Sequence, residues 1–264
     1  MDFLLECVGF DPNADFEALR ERVLREGETV PWRGPEGVHL KLRLAEGVEL
    51  RLDQERPGGV TSLLPYYAER SRLRIGIETL RSMEDSPFDA LLSGWVAPPR
   101  PGVPDPWGAP GAYRLATWLT DARRLPRRMG PGHVLAISAA GFSLDVSYVG
   151  PNAEGGRPGV QELPRGAFID TLGGPDDPGG CSDVSVRIKE VRHTRNELTG
   201  EPIEALTVDA PERPLTLFVS PWQLARDGLP APRPGYRIEG TFLFLGRIAG
   251  GLPRRSRRPR RNFG

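Results

Sequence analysis

The residues from position 37 to 53, GVHLKLRLAEGVELRLD, limit the possible folds of this chain more than any other stretch. Apolar and polar side chains alternate on both sides of a central Ala-Glu-Gly. A repeat of two residues is typical of a β-strand with one buried face, and a glycine-containing break between two such runs is typical of a hairpin. The sequence therefore predicts a β-hairpin with its valines and leucines in a core. Its polar side chains are expected to be solvated or to line a groove: His39, Lys41, Arg43, Glu49 and Arg51.

A second stretch, residues 132–147 (GHVLAISAAGFSLDVS), matches the first one 94 positions later, so that Gly141 falls on Gly47 and His133 on His39. The match predicts a second hairpin and an internal duplication. Around each hairpin the sequence predicts an opening strand, a helix and a closing strand. The ranges are a strand at 3–10, a helix at 16–27 and a strand at 73–80 in the first copy, and a strand at 91–97, a helix at 113–125 and a strand at 167–172 in the second.

The two strand–helix–three-strand units, residues 1–82 and 88–172, resemble the paired βαβββ modules of the glyoxalase/vicinal-oxygen-chelate superfamily. Residues 5–11 (LECVGFD) are similar to the opening strand of that family, in which a metal-binding histidine is usual; here the position is Glu6. The resemblance implies further carboxylate ligands at Glu78 and Asp170. Three carboxylates would form an oxygen site for Mg²⁺, Mn²⁺ or Ca²⁺ and a poor site for Zn²⁺. The resemblance thus implies a metal-dependent enzyme with a divalent cofactor.

The last third of the chain predicts a separate unit. Residues 173–180 (GGPDDPGG) are typical of a linker. Beyond them, alternating runs predict short antiparallel strands and one helical turn at 221–228, which together are similar to a small barrel of the oligonucleotide/oligosaccharide-binding type at residues 181–252. The predicted fold class is therefore α+β, predominantly antiparallel β, with a duplicated βαβββ region followed by a small C-terminal β-barrel.

The charge of the chain is concentrated at one end. The sequence has 35 basic and 35 acidic residues, and six of the basic residues are arginines within 254–264. The remaining 253 residues therefore hold 29 basic and 35 acidic residues, a net charge of −6.

We call residues 253–264 the arginine tail and expect it to be disordered when free. It is predicted to bind a polyanion such as nucleic acid, or an acidic protein; a purely solubilising role is the alternative. Its arginines are Arg254, Arg255, Arg257, Arg258, Arg260 and Arg261.

Several classes of protein have no support in the sequence. No window of 18 apolar residues and no basic, apolar leader is present, which predicts a cytoplasmic protein with no membrane partner. Two cysteines are too few for a disulfide framework or a zinc site. No P-loop, nucleophile elbow or zinc-protease motif occurs. The excess of arginine over two lysines is typical of a GC-rich bacterial genome. We therefore expect a bacterial cytoplasmic binding or interaction protein that is not an enzyme and needs no cofactor, with the metal-dependent enzyme as the alternative.

Two smaller groups allow more than one interpretation. His39 and His133 match between the copies and could be paired ligands or acid–base groups, but without nearby metal ligands they are better explained as polar residues at solvent-facing strand starts. The aromatic residues of the last third could stack nucleic-acid bases beside a row of basic residues, or could form its core, and the core is the expectation. They are Phe218, Trp222, Tyr236, Phe242 and Phe244, and the basic residues are Arg187, Lys189, Arg192 and Arg195.

Overall fold

Most of the described chain is β-sheet. The computed structural model describes residues 2–30, 37–55, 59, 61–68, 71–83, 86–99, 110–126, 128–149, 166–174 and 177–250. These residues form thirteen strands and three short α-helices, which confirms a β-rich α+β fold. Most neighbouring strands are antiparallel, as predicted; the exceptions among the described residues are two short parallel pairings.

Two of the helices begin at side-chain caps. Helix α2 (Phe16–Glu26) starts after Asp15, whose carboxylate accepts hydrogen bonds from two amides of the first turn. Helix α3 (Pro221–Arg226) starts after Ser220, whose hydroxyl accepts from the amide of Gln223, and a proline fits the first helical position. The predicted helix at 16–27 is therefore confirmed, and so is the helical turn near 221–228.

The predicted opening strand at 3–10 is wrong. Helix α1 (Asp2–Glu6) occupies its first half and a turn follows. Leu4, Cys7 and Val8 are all fully buried. A short run that is apolar on every side does not distinguish a buried helix from a buried strand, because neither period is visible in it.

The predicted hairpin at 37–53 is confirmed and belongs to a four-stranded sheet. Leu40 lies opposite Leu52 and Leu42 opposite Leu50 in the antiparallel register. Gly47 makes the turn with φ of 74°, a left-handed conformation that a glycine adopts without strain. The strands of this first sheet follow the chain order: β1 (Glu28–Thr29), β2 (Val38–Ala45), β3 (Val48–Gln54) and β4 (Thr61–Tyr67).

The second sheet contains the other nine strands, and its pairings form two closed circuits. One circuit runs β5–β6–β7–β13–β8 and the other runs β10–β11–β12–β8–β13, so both share the long antiparallel pair β8–β13. The strands are β5 (Leu73–Met83), β6 (Ser86–Val96), β7 (Tyr113–Leu119), β8 (Val134–Val149), β9 (Phe168–Gly174), β10 (Asp177–Arg195), β11 (Pro202–Asp209), β12 (Leu215–Val219) and β13 (Arg237–Ile248).

The predicted helix at 113–125 is wrong, because residues 113–119 are strand β7. The apolar residues of this range also fit the two-residue repeat of a strand, because Tyr113, Leu115 and Leu119 are buried on one face. β7 pairs with β6 along its whole length. Pairing with a neighbouring strand decides the structure here, since it satisfies the backbone groups that a helix would satisfy internally.

The predicted second hairpin at 132–147 is also wrong. One continuous strand, β8, passes through Gly141 without a turn. A Cβ atom at Gly141 would lie 2.7 Å from Cδ2 of Leu217 and 3.1 Å from the ring of Phe244. Gly141 is therefore needed for close packing between strands, whereas Gly47 is needed for a turn.

The described residues of neither unit follow the predicted strand–helix–three-strand order. The first unit has helix α1 in place of its opening strand, and the second has strand β7 in place of its helix. Hydrogen-bonded pairs also cross the predicted domain boundaries: β5 pairs with β6, and β8 pairs with both β12 and β13. The described residues of the predicted linker belong to β9 and β10, where Pro178 pairs with Gly173. The prediction of a linker is therefore wrong for these described residues, because they are paired strand residues.

Two clusters of buried apolar side chains hold the helices and the two sheets together. The larger one contains buried side chains from the strands of both circuits. The other joins α1, α2 and the first sheet to β8, β11, β12 and β13, with Phe142, Ala205 and Phe218 on the second-sheet side. In β11 and β12 successive residues alternate between the two clusters, so each strand has one face toward its circuit and one toward the first sheet.

Candidate functional site

The three carboxylates that the resemblance assigned to a metal ion have separate partners. Glu6 accepts a hydrogen bond from the Ser220 hydroxyl at 3.0 Å. Glu78 accepts from the Trp95 indole at 2.8 Å and the Arg114 guanidinium at 3.0 Å. Asp170, in β9, accepts from a neighbouring backbone amide. Within the described ranges no three His, Cys, Asp or Glu side chains form a group that could hold a metal ion, so these residues do not fit a common metal site.

The two matched histidines have different environments. His133 is exposed, and its Nδ1 lies 3.0 Å from the carbonyl oxygen of Gly130. His39 is only 4% exposed; its Nδ1 lies 2.7 Å from Oδ1 of Asp53, and the edge of Phe88 lies against its ring. The expectation of a solvent-facing His39 is therefore wrong, because the second sheet covers that end of the hairpin.

Arg51, on the polar face of the hairpin, is buried like His39. Its guanidinium lies 3.7 Å from the ring centre of Tyr66, and Arg247 of β13 lies 4.8 Å from the same ring. Burial raises the pKa of Tyr66 to about 12, although both arginine charges act in the opposite direction. Arg51 is therefore part of the contact between the two sheets.

The other end of the hairpin lines a surface groove, as the sequence predicts for part of its polar face. The groove measures about 630 Å³ and lies between the hairpin turn, α2 and the turn after β10. Lys41 is 3.2 Å from Glu28, and Arg43 is 3.1 Å from Glu197, so its cations are paired with its own carboxylates. Its charged lining residues are Glu26, Glu28, Glu46, Glu49, Glu197, Lys41 and Arg43, which gives the groove an acidic excess.

A second cleft, of about 300 Å³, lies where β4 of the first sheet meets β10, β11 and β12 of the second. We call it the hydroxyl cleft because four of its lining residues carry hydroxyl groups. It could not be predicted from the sequence, since its residues come from four strands and two connecting segments and share no motif. Its lining consists of Tyr67, Ser71, Glu190, Arg192, Thr207, Pro214 and Thr216.

Cys7, Ser143 and Gln223 form a buried set of polar side chains. The Cys7 thiol lies 3.4 Å from the Ser143 hydroxyl, which in turn donates to the side-chain carbonyl of Gln223 at 3.0 Å. Burial raises the pKa of Cys7 to about 12, so the thiol is protonated and unreactive near neutral pH.

Among the aromatic residues that could have stacked bases, Phe218, Phe242 and Phe244 are fully buried, as expected for a core.

No protein-family model, curated protein or solved structure matches this chain. None of the helices in the described ranges has the length and apolar composition required to cross a bilayer. The arginine tail lies outside the described residues.

Proposed function

We propose that this chain is a non-enzymatic binding protein that attaches to nucleic acid through its arginine tail. The observation that carries the proposal is the separation of charge: six arginines lie in residues 254–264, and the preceding residues have a net charge of −6. An acidic body does not attract a polyanion, so attachment would depend on the tail.

Ion pairing within the body supports this assignment. Arg43 pairs with Glu197, Arg114 with Glu78 and Arg124 with Asp121. A cation that is already paired gains little from a phosphate, because it must give up its own carboxylate first. The six arginines of the tail have no acidic residue among them in the sequence and so offer the strongest concentration of positive charge.

The proposal is tested by measuring binding of the full chain to a single-stranded and a duplex oligonucleotide over a range of salt concentrations. If all six arginines meet phosphates, the logarithm of the association constant should fall against the logarithm of salt with a slope of about −4 on the single strand and about −5 on the duplex. A variant with the six arginines changed to Gln should lose binding, and one with six Lys should keep most of it.

Two results would contradict the proposal. One is equal binding by the full chain and by a chain lacking residues 254–264 at low salt. The other is binding to poly-L-glutamate but to neither oligonucleotide, which would assign an acidic protein as the partner instead.

A further inference from the structure

The floor of the hydroxyl cleft is a row of polar side chains across three paired strands. Glu190 of β10 lies opposite Thr207 of β11, and Thr207 lies opposite Thr216 of β12. Because Leu206 and Leu217 point into the second circuit, these neighbours point toward the first sheet. The floor therefore faces out of the second sheet, toward β4.

The adjacent row fixes one wall of the cleft. There Arg192, Ala205 and Phe218 lie opposite one another across the same three strands. Tyr67 of β4 packs edge-on against Phe218 with a ring distance of 5.1 Å, and its hydroxyl accepts a hydrogen bond from Arg192. Phe218 is itself stacked on Phe142 at 5.1 Å, so a buried aromatic column holds the Tyr67 wall in place. Because the Tyr67 side chain is already fixed, it loses little conformational entropy when a ligand binds.

The groups in the cleft combine donors and acceptors without a net charge. Arg192 supplies N–H donors, Glu190 supplies carboxylate acceptors, and each hydroxyl can both donate and accept. In the part of the chain that the structure describes, no hydrogen bond or ion pair engages the Glu190 carboxylate or the Thr207 hydroxyl. Both groups are therefore available to a ligand.

We propose that the hydroxyl cleft binds a neutral saccharide of one or two rings. Vicinal sugar hydroxyls can donate to Glu190 and accept from Arg192 at the same time, and a further hydrogen bond can be made with the Thr207 hydroxyl of the floor. An inorganic anion would bind beside the carboxylate of Glu190, which opposes it. A volume of about 300 Å³ lies at the lower end of the range found for small-molecule sites. This proposal does not depend on the arginine tail.

The experiment is an NMR titration of the full chain, ¹⁵N-labelled, with the methyl glycosides of glucose, galactose and mannose and with maltose. At least one of these should shift the amide signals of Thr207 and Thr216 with a dissociation constant on the order of millimolar, as expected for a few hydrogen bonds in an open cleft. Sodium phosphate and glycine are titrated in parallel. Binding of either of these at the cleft without binding of any saccharide would overturn the proposal, and so would binding of none.

Two conservative variants test the recognition itself. Thr207→Val keeps the β-branched shape on the strand and should weaken saccharide binding about fivefold through loss of one hydrogen bond. Glu190→Gln should weaken it about tenfold, because a charge-assisted hydrogen bond becomes a neutral one. Glu46→Gln removes the same charge in the acidic groove and should leave binding unchanged. Unaltered affinity in both cleft variants, with unchanged melting temperatures, would show that the saccharide binds elsewhere and would overturn the proposal.

Discussion

Replacing Gly141 by Ala tests whether this glycine is required by packing. The added Cβ would lie 2.7 Å from Cδ2 of Leu217, closer than real carbon contacts allow, and 3.1 Å from two ring atoms of Phe244. Both neighbours are buried in the larger apolar cluster, so neither can move far. Gly130→Ala is the matched control, since no atom lies within 4 Å of its added Cβ.

The expected loss follows from two opposing effects. Overpacking of a tight core costs about 1–3 kcal/mol. Ala in a strand interior regains about 0.5–1 kcal/mol relative to Gly, because the unfolded chain is less free. The free energy of unfolding should therefore fall by about 1–2 kcal/mol in Gly141→Ala, and Gly130→Ala should show no comparable loss.

Urea denaturation of both variants, combined with Leu217→Ala in a double-mutant cycle, measures this effect. Leu217→Ala alone should cost about 2–5 kcal/mol, because it leaves a cavity in the core. In the Gly141→Ala background its cost should be smaller by about 1 kcal/mol, since truncating Leu217 also relieves the close contact. Additive costs, or a Gly141→Ala variant as stable as the parent, would refute the packing explanation.

Three further results are expected. In the native protein an aromatic disulfide reagent should leave the fully buried Cys7 unmodified, with any reaction confined to the half-buried Cys181, and both thiols should react in urea. The free energy of unfolding should not vary between pH 7 and 9 on account of Cys7 or Tyr66 and should then fall toward pH 12. Burial raises the pKa values of these two groups from 9.0 and 10.0 to about 12, so the folded state retains protons that the unfolded state loses. A pH series of urea denaturation curves measures this, and undiminished stability at pH 11 would contradict it. Asp53→Ala should lower the free energy of unfolding by about 1–3 kcal/mol, because it leaves the buried His39 ring without its carboxylate; an equally stable variant in urea denaturation would show that the pair contributes nothing.

The sequence pattern was informative where apolar and polar side chains alternate along a strand. The alternation of β2 and β3 predicted their boundaries and their turn. The pattern failed where both faces of a strand carry apolar side chains. In β7, for example, Leu115 and Ala116 are both fully buried although they point to opposite sides, so the apolar residues of this range fit a helix as well as a strand.

The sites were less predictable than the strands because each depends on a tertiary neighbour. His39 and Lys41 lie on the same face of β2, yet His39 is buried against Phe88 and Lys41 lines an open groove. Their strand spacing is the same, and only the position of the second sheet distinguishes them. The hydroxyl cleft is a stronger case, since Tyr67 and Arg192 are far apart in sequence and carry no motif.

The match between residues 37–53 and 132–147 shows how similar residues can be placed for different physical reasons. Gly47 has a left-handed backbone in a turn, whereas Gly141 lies in mid-strand where a side chain would meet Leu217. One strand with a glycine at its centre can pair along both halves: β8 pairs with β5 before Gly141 and with β13 on both sides of it. A hairpin at this position would break that shared pair and open both circuits. The residue types of the second stretch are therefore accounted for by the pairing of β8 alone, and a duplicated hairpin is not needed to explain them.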